Sequence, residues 1–400
     1  MLPWGRGGTF TTVPMTHTYP LAKRIGSTAF AFRGYDLTNL GRTPELLVHS
    51  VYGPMVETVL VEASKLCSDI FHRRVDLFAR VRDGRETVNL DDYGEDVALI
   101  VAAEMAQVKI LQEVFDTPVT KCRLAFGYSL GEVAALIAGG VFHMNDLLRV
   151  PLALADDAVA LAEDVSLGVL FSRGVALDRL AVKRLCLEIN QDGHGLIDIS
   201  AHLSPNSLLL LGQNNRLELF QKEMGKYFNG SAHLRKKPHR WPPMHTIITR
   251  QRSIPDRAAV LLESAPGGLQ APQMTLLSGV TGKGSYTDTN SRELIRSWID
   301  HPQQLWAMVH ETLTSGVEAV IHVGPAPNII PATFKRLSDD VRGQIEGYSP
   351  GRLGMRAMSQ LARRPWLSQL LPTATTLLRA PFVQHINLED WLLEQLPQGN

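Results

Sequence analysis

Apolar positions along this chain follow two periods. Ser27 to Phe32 and Cys122 to Phe126 are short and almost wholly apolar, which predicts buried strands. Pro44 to Phe71 instead carries Leu46, Leu47, Val51, Met55, Val59, Leu60 and Ala63 at helical spacing. Val97 to Phe115 predicts a second helix, with Ala102, Met105, Val108, Ile110 and Leu111 turned inward, and Met144 to Ala160 a further one. The polar stretch from Arg80 to Tyr93 predicts a loop. Strand, helices, strand and helix in that order argue for an α/β domain on a parallel sheet. After Val165 the order changes. Gly168 to Phe171, Gly195 to Ala201 and Ser207 to Gly212 predict strands, with helices over Leu177 to Ile189 and Asn215 to Tyr227. That is β-α-β-β-α, the order of a ferredoxin-like module. The α/β pattern then resumes, with strands expected over Gln273 to Val280 and Ala319 to Val323.

These shifts divide the chain into a large α/β subdomain over 27–165, an inserted ferredoxin-like subdomain over 166–238, the return of the large subdomain over 239–345, and an extension over 346–400. The basic run Arg235-Lys-Lys-Pro-His-Arg240 reads as the connection out of the insertion. The extension mixes Arg352, Arg356, Arg363, Arg364 and Arg379 with Trp366, Leu367, Leu370, Leu371, Leu377 and Leu378, and Pro365 and Pro372 break it into short helices. It is expected to pack on the body as a helical cap, or else to serve as an amphipathic docking arm toward a partner synthase.

Composition narrows the function classes. The 400 residues hold 40 basic and 40 acidic side chains, so no net field favours nucleic acid or an anionic membrane. No apolar run is long enough to span a bilayer, and Met1 to Leu21 lacks the apolar centre of a signal peptide. Cys67, Cys122 and Cys186 are widely spaced among apolar neighbours and read as buried thiols of a reducing, cytoplasmic setting. No metal-ligand cluster or phosphate-cradling glycine loop is present, so no bound metal or cofactor is expected.

The chemistry gathers at Gly127-Tyr-Ser-Leu-Gly131. A strand precedes it and a good helix former, Glu132 to Ile137, follows. In such a nucleophile elbow the glycines let backbones pass closely and the serine hydroxyl is presented at the helix head. The free N–H groups there suit an oxyanion. Ser129 needs a base. His245, in Trp241-Pro-Pro-Met-His-Thr246, lies where the chain re-enters the α/β domain. His143 is too close in sequence to fold back, and His202 follows a strand and is expected at the cleft.

Together these segments resemble the acyltransferases typified by malonyl-CoA:acyl carrier protein transacylase and by the acyltransferase domains of polyketide synthases. Ala29-Phe-Ala-Phe-Arg-Gly34 resembles the opening strand and turn, and Gly127-Tyr-Ser-Leu-Gly-Glu132 the nucleophile motif. Met244-His245 resembles the segment bearing the catalytic histidine, and Thr275 to Gly282 and Ile321-His-Val-Gly-Pro325 the last two strands. The resemblance covers roughly Ser27 to Arg342 and implies ping-pong transfer. Ser129, with His245 as base, would take an acyl group from a coenzyme A thioester. The phosphopantetheine thiol of an acyl carrier protein would then accept it. The backbone N–H groups of Leu130 and Tyr35 would form the oxyanion hole.

The chain departs from that pattern at informative places. Counting from Ser129, the family's carboxylate-binding arginine falls at Leu154, with Asp156 and Asp157 just beyond, and Arg149 lies more than a turn earlier. A malonyl group is therefore disfavoured and a neutral acyl group expected. Tyr128 replaces a usual histidine. Trp298 replaces the glutamine near the catalytic histidine, which leaves a backbone carbonyl to orient the ring. Met244 offers an apolar wall. Tyr128, Leu154, Met244, Trp298 and His202 are thus the expected acyl-pocket residues. Arg235, Lys236, Lys237 and Arg240 are the expected contacts for an acidic carrier helix. Two alternatives share the scaffold: a thioester hydrolase, and a catalytically weak partner subunit of a synthase.

Overall fold

The computed structural model describes residues 21–345 except 88, 174 and 229, together with 350–362 and 373–395. Residues 1–20 and the tail residues Arg363, Arg364, Trp366, Leu367, Leu370 and Leu371 lie outside the described residues.

The centre is a parallel sheet. Its strands are β1 (Thr28–Phe32), β2 (Leu124–Gly127), β7 (Leu276–Leu277), β8 (Ala319–Val323) and β9 (Gln384–Asn387) in the order β7-β2-β1-β8-β9. Every residue of β1, β2 and β8 is buried, which is why these segments read as almost wholly apolar runs, interrupted only by Thr28 and His322. In register, Phe32 pairs with Gly127 on one side and Val323 on the other. The carboxyl ends of three adjacent strands therefore meet at one edge, where ligands collect in open α/β sheets.

The insertion is a second, antiparallel sheet. It holds β3 (Val165–Ser172), β4 (Ile197–Ser204), β5 (Ser207–Gln213) and β6 (Ala232–Arg240) in the order β4-β5-β3-β6. Its helices, Arg179–Asn190 and Arg216–Glu223, bury Val182, Leu185, Leu217 and Phe220 in a core of its own with Leu170, Ile197, Leu208 and Leu210. Backbone bonds from the N–H of Gln303 to Ser200 O, and from that of His202 to Gln303 O (both 2.8 Å), stitch β4 to the main body.

The structure corrects the sequence reading in several places. The basic run is not a linker. It is the second half of β6, an edge strand, where Leu234 packs on the small core and Pro238, lacking an N–H, is tolerated. The C-terminal segment is not only helical. Gln384–Asn387 adds β9 along the open edge of β8, and the helix Leu388–Glu394 inserts Leu388 and Leu392 into the main core. Pairing there satisfies backbone groups that a bare sheet edge would leave open. The long helix expected over Pro44 to Phe71 breaks into Thr43–Val48 and Gly53–Phe71. The one over Met144 to Ala160 breaks at Leu154 into Met144–Ala153 and Ala155–Ala162. The expected loop after Arg80 starts later, because Leu77–Arg82 is helical with Asp76 capping its N-terminus.

Candidate active site

β2 runs through Tyr128 into the helix Leu130–Ala138, and Ser129 stands at the turn with φ 55° and ψ −119°. A non-glycine residue held there is strained, as nucleophile elbows are. The glycines allow the crossing. A Cβ on Gly127 would lie 1.9 Å from the backbone carbon of Gly131, and one on Gly131 would lie 2.2 Å from Phe32 O. Backbone, not a movable side chain, is struck in both cases. Gly127→Ala is thus expected to lower unfolding free energy by about 3 kcal/mol, read as a shift of the denaturant midpoint.

Ser129 Oγ lies 2.7 Å from His245 Nε2. On the far side of the ring, His245 Nδ1 lies 2.6 Å from the backbone oxygen of Trp298. A carbonyl only accepts, so Nδ1 carries the proton and Nε2 is left as the acceptor for the serine hydroxyl. The His245 N–H also donates to Ile299 O (2.6 Å), and this residue too holds a positive φ of 68°. The residue is 3 % exposed. Burial pushes its pKa down to about 4, opposed by the bond to Trp298 O. A base works in its neutral form, and this ring is neutral at every pH well above 4. The acylation rate is therefore expected to rise with pH near 4 and to be flat through 6.5, where an ordinary histidine would titrate. A single-turnover pH profile checks this.

Trp298 does more than supply the carbonyl. Its indole Nε1 donates to Ser129 O at 2.9 Å, and its ring meets His245 edge-on with centroids 5.0 Å apart. The sequence reading missed Gln303, fully buried, whose Oε1 accepts the Ser129 N–H at 3.3 Å. It also missed the role of Glu132. That carboxylate is buried behind the elbow, accepts from Gly279 N (2.9 Å) and the Tyr286 hydroxyl (2.6 Å), and has its pKa pushed up to about 7 by burial. An acid in the first turn of a helix reads as a dipole partner, and nothing local in sequence marks it as buried.

Two spaces are lined by Ser129. The inner one, about 30 Å³, is bordered by Ser129, Leu130, Tyr35, Leu154, Met244 and Trp298, and the rest of its wall is apolar or aromatic, with no charged residue. That leaves room for little more than one or two waters. Arg149 is exposed and lies outside it. Asp156 and Asp157 lie outside it as well: Ala158 faces the space, and Asp157 turns outward to pair with Arg252 and Arg257. Their expected repulsion of a substrate carboxylate therefore falls away, while Leu154, 3 % exposed, stays in the wall. The outer cleft, about 430 Å³, includes Tyr128, Met244, His245, Asp36, Lys237 and His239.

His202 borders neither space. β4 carries register shifts between Ile199 and Ala201 and between His202 and Ser204, so Ser200 and Leu203 face the cleft instead. Burial takes the His202 pKa down to about 4. Of the basic run, Arg235, Lys236, Lys237 and Arg240 are exposed along β6, Lys236 pairs with Glu218, and Lys237 reaches the cleft mouth. The N–H groups of Leu130 and Tyr35 meet no hydrogen-bond acceptor among the described residues. Among those residues there is also no group of three or more metal-ligating side chains, and no helix long and apolar enough to cross a membrane.

This is the fold of solved acyl carrier protein malonyltransferases. The chain is similar to malonyl-CoA:acyl carrier protein transacylase from Xanthomonas oryzae (TM-score 0.62, 18 % identity, 78 % of this chain and 91 % of that one). It is similar to the transacylase MCAT from Streptococcus pneumoniae (TM-score 0.62, 17 % identity, 77 % and 92 %). It also resembles PlMCAT, solved with the type II polyketide synthase acyl carrier protein AntF (TM-score 0.60, 22 % identity, 77 % and 92 %). No protein-family model and no curated protein matches its sequence.

Proposed function

We propose that the protein is a cytoplasmic acyltransferase that moves a small neutral acyl group from a coenzyme A thioester, through acyl-Ser129, to the phosphopantetheine thiol of an acyl carrier protein in fatty acid or polyketide-type biosynthesis. One observation carries this reading. A serine and a neutral, backbone-oriented histidine meet at the mouth of an uncharged cavity, on a scaffold whose solved relatives are malonyltransferases. In this reading the main sheet is an α/β-hydrolase-like large subdomain and the antiparallel sheet a ferredoxin-like small one.

His245 Nε2 takes the Ser129 proton as Oγ attacks the thioester carbonyl. The N–H groups of Leu130 and Tyr35 receive the oxyanion. Collapse of the tetrahedral intermediate breaks the C–S bond. The imidazolium returns its proton to the coenzyme A sulfur, leaving acyl-Ser129. The carrier thiol then gives its proton to His245, attacks the acyl-serine carbonyl and expels Oγ, which regains the proton. Lys237 and His239 edge the cleft, and Arg235, Lys236 and Arg240 continue the basic strand toward an acidic carrier surface. Leu154, Met244, Tyr128 and Trp298 shape the acyl end.

The test compares acceptors. The protein charged with labelled acetyl-CoA is mixed with holo carrier protein, with apo carrier protein, or with buffer. Label appearing on holo carrier alone supports transfer. Equally fast loss to free acetate in all three supports a hydrolase and contradicts the proposal.

A further inference from the structure

The loops that frame the oxyanion site are fastened from behind by the C-terminal segment. Inside, Arg33 is 1 % exposed. Its Nε donates to Gly34 O (2.9 Å), and its Nη1 donates to Thr38 O (3.1 Å) and to Pro325 O. The Asn328 amide donates to the Asp36 carboxylate. The loop after β1, which carries Tyr35, is thus sewn to the loop after β8. Outside, Glu389 of the C-terminal helix, 2 % exposed, closes the same pair of loops. Its Oε2 accepts the Arg42 N–H at 2.9 Å, and its Oε1 accepts the Ala326 N–H at 2.8 Å. A Cβ on Gly41 would lie 2.7 Å from both Ala326 N and Glu389 Oε2, so the two loops and the carboxylate meet at one point.

Ala326 holds a left-handed φ of 46°. An alanine does not rest there unaided, and the charge-assisted bond to Glu389 opposes its return to ordinary backbone. The helix that presents Glu389 is itself anchored. Leu388 and Leu392 are fully buried, and the Tyr52 hydroxyl donates to Leu392 O at 3.1 Å.

We propose that Glu389 is a positioning residue, clamping the loops after β1 and β8 so that the Tyr35 N–H is aimed into the oxyanion site. This rests on the reading of Tyr35 as an oxyanion donor. A carboxylate alone suits the clamp, because both of its oxygens accept. Glutamine keeps the shape but turns an NH2 toward one of the two backbone donors.

The test uses the full chain carrying Glu389→Gln. Asp390→Asn, from the same helix, is the control, since that carboxylate pairs with the Arg42 guanidinium and accepts from the Asn387 amide but bonds to neither of the two backbone N–H groups that Glu389 holds. Two readouts are taken. One is acyl-Ser129 formation from acetyl-CoA. The other is phosphonylation of Ser129 by a fluorophosphonate, which needs the serine, the histidine and the oxyanion donors but neither coenzyme A nor carrier. Glu389→Gln is expected to lower both rates by about 10-fold or more with the KM for acetyl-CoA within about 2-fold, against the 100-fold or more that loss of an oxyanion donor costs. Asp390→Asn is expected to leave both unchanged. Adding Ala326→Gly, which adopts left-handed backbone without strain, is expected to recover part of the lost rate, even if Glu389→Gln is itself less stable. Phosphonylation of Glu389→Gln at the parent rate, an equal fall in Asp390→Asn, or no recovery in the double variant overturns the proposal. A parent protein that takes the fluorophosphonate but no coenzyme A ester sinks the acyltransferase reading alone. One that takes neither sinks both.

Discussion

Ser129→Ala is expected to abolish acyl-enzyme formation and to lower transfer by about 10⁴- to 10⁶-fold, the scale on which a catalytic serine acts with its histidine. The ground is the 2.7 Å approach of Oγ to a ring that can only accept at Nε2. The variant should fold. Ser129 is strained at φ 55°, and alanine there meets no new backbone, so the thermal midpoint is expected to move little. His245→Ala should fall nearly as far, and the double variant no further, because the two residues act as one unit. Transfer in Ser129→Ala within 10-fold of the parent would place the nucleophile elsewhere.

The second large effect is discrimination between acyl groups. A malonyl carboxylate in the inner space would leave water for walls of Leu154, Val150, Pro151 and Ile299, with no cation to receive it. Even after relaxation, burying an unpaired carboxylate costs several kcal/mol. Acetyl-CoA is therefore expected to exceed malonyl-CoA in kcat/KM by about 100-fold or more, which corresponds to about 3 kcal/mol. The space is also small, so rates should fall steeply as the chain is lengthened. A competition assay with equimolar esters reads both trends. Preference for malonyl would show that a cation reaches the site from outside the walls described.

The elbow and the strands β1, β2 and β8 were legible because each is written locally, and His245 from its place where the chain re-enters the α/β domain, whereas the strand expected over Gln273 to Val280 shrinks to Leu276–Leu277. An apolar run bounded by glycines specifies a buried strand and a tight crossing, and β8 falls where the pattern placed it. The backbone carbonyl at Trp298 could be anticipated once the usual side chain was missing. What escaped depends on contacts distant in sequence. Gln303 reaches Ser129 across 174 residues, and Glu132 is buried only because Tyr286 and Gly279 close over it. The basic run was read as a linker because charge and Pro238 mask a strand whose pairing partner, β3, lies about 65 residues earlier. β9 is four residues, half of them exposed, and exists because β8 offers an unpaired edge. His202 was misplaced because the strand was taken to end at Ala201, whereas β4 runs on through His202 to Ser204 with register shifts that sequence does not announce.

Ser129 and His245 are proposed to transfer a neutral acyl group. The decisive measurement is the intact mass of the protein after brief mixing with acetyl-CoA, followed by peptide mapping and then by addition of holo carrier protein. One acetyl group is expected on Ser129, none on Ser129→Ala, little adduct from malonyl-CoA, and discharge of the acetyl group to the carrier thiol. A protein that stays unmodified with every coenzyme A ester, or carries the acyl group on another residue, would contradict the proposal.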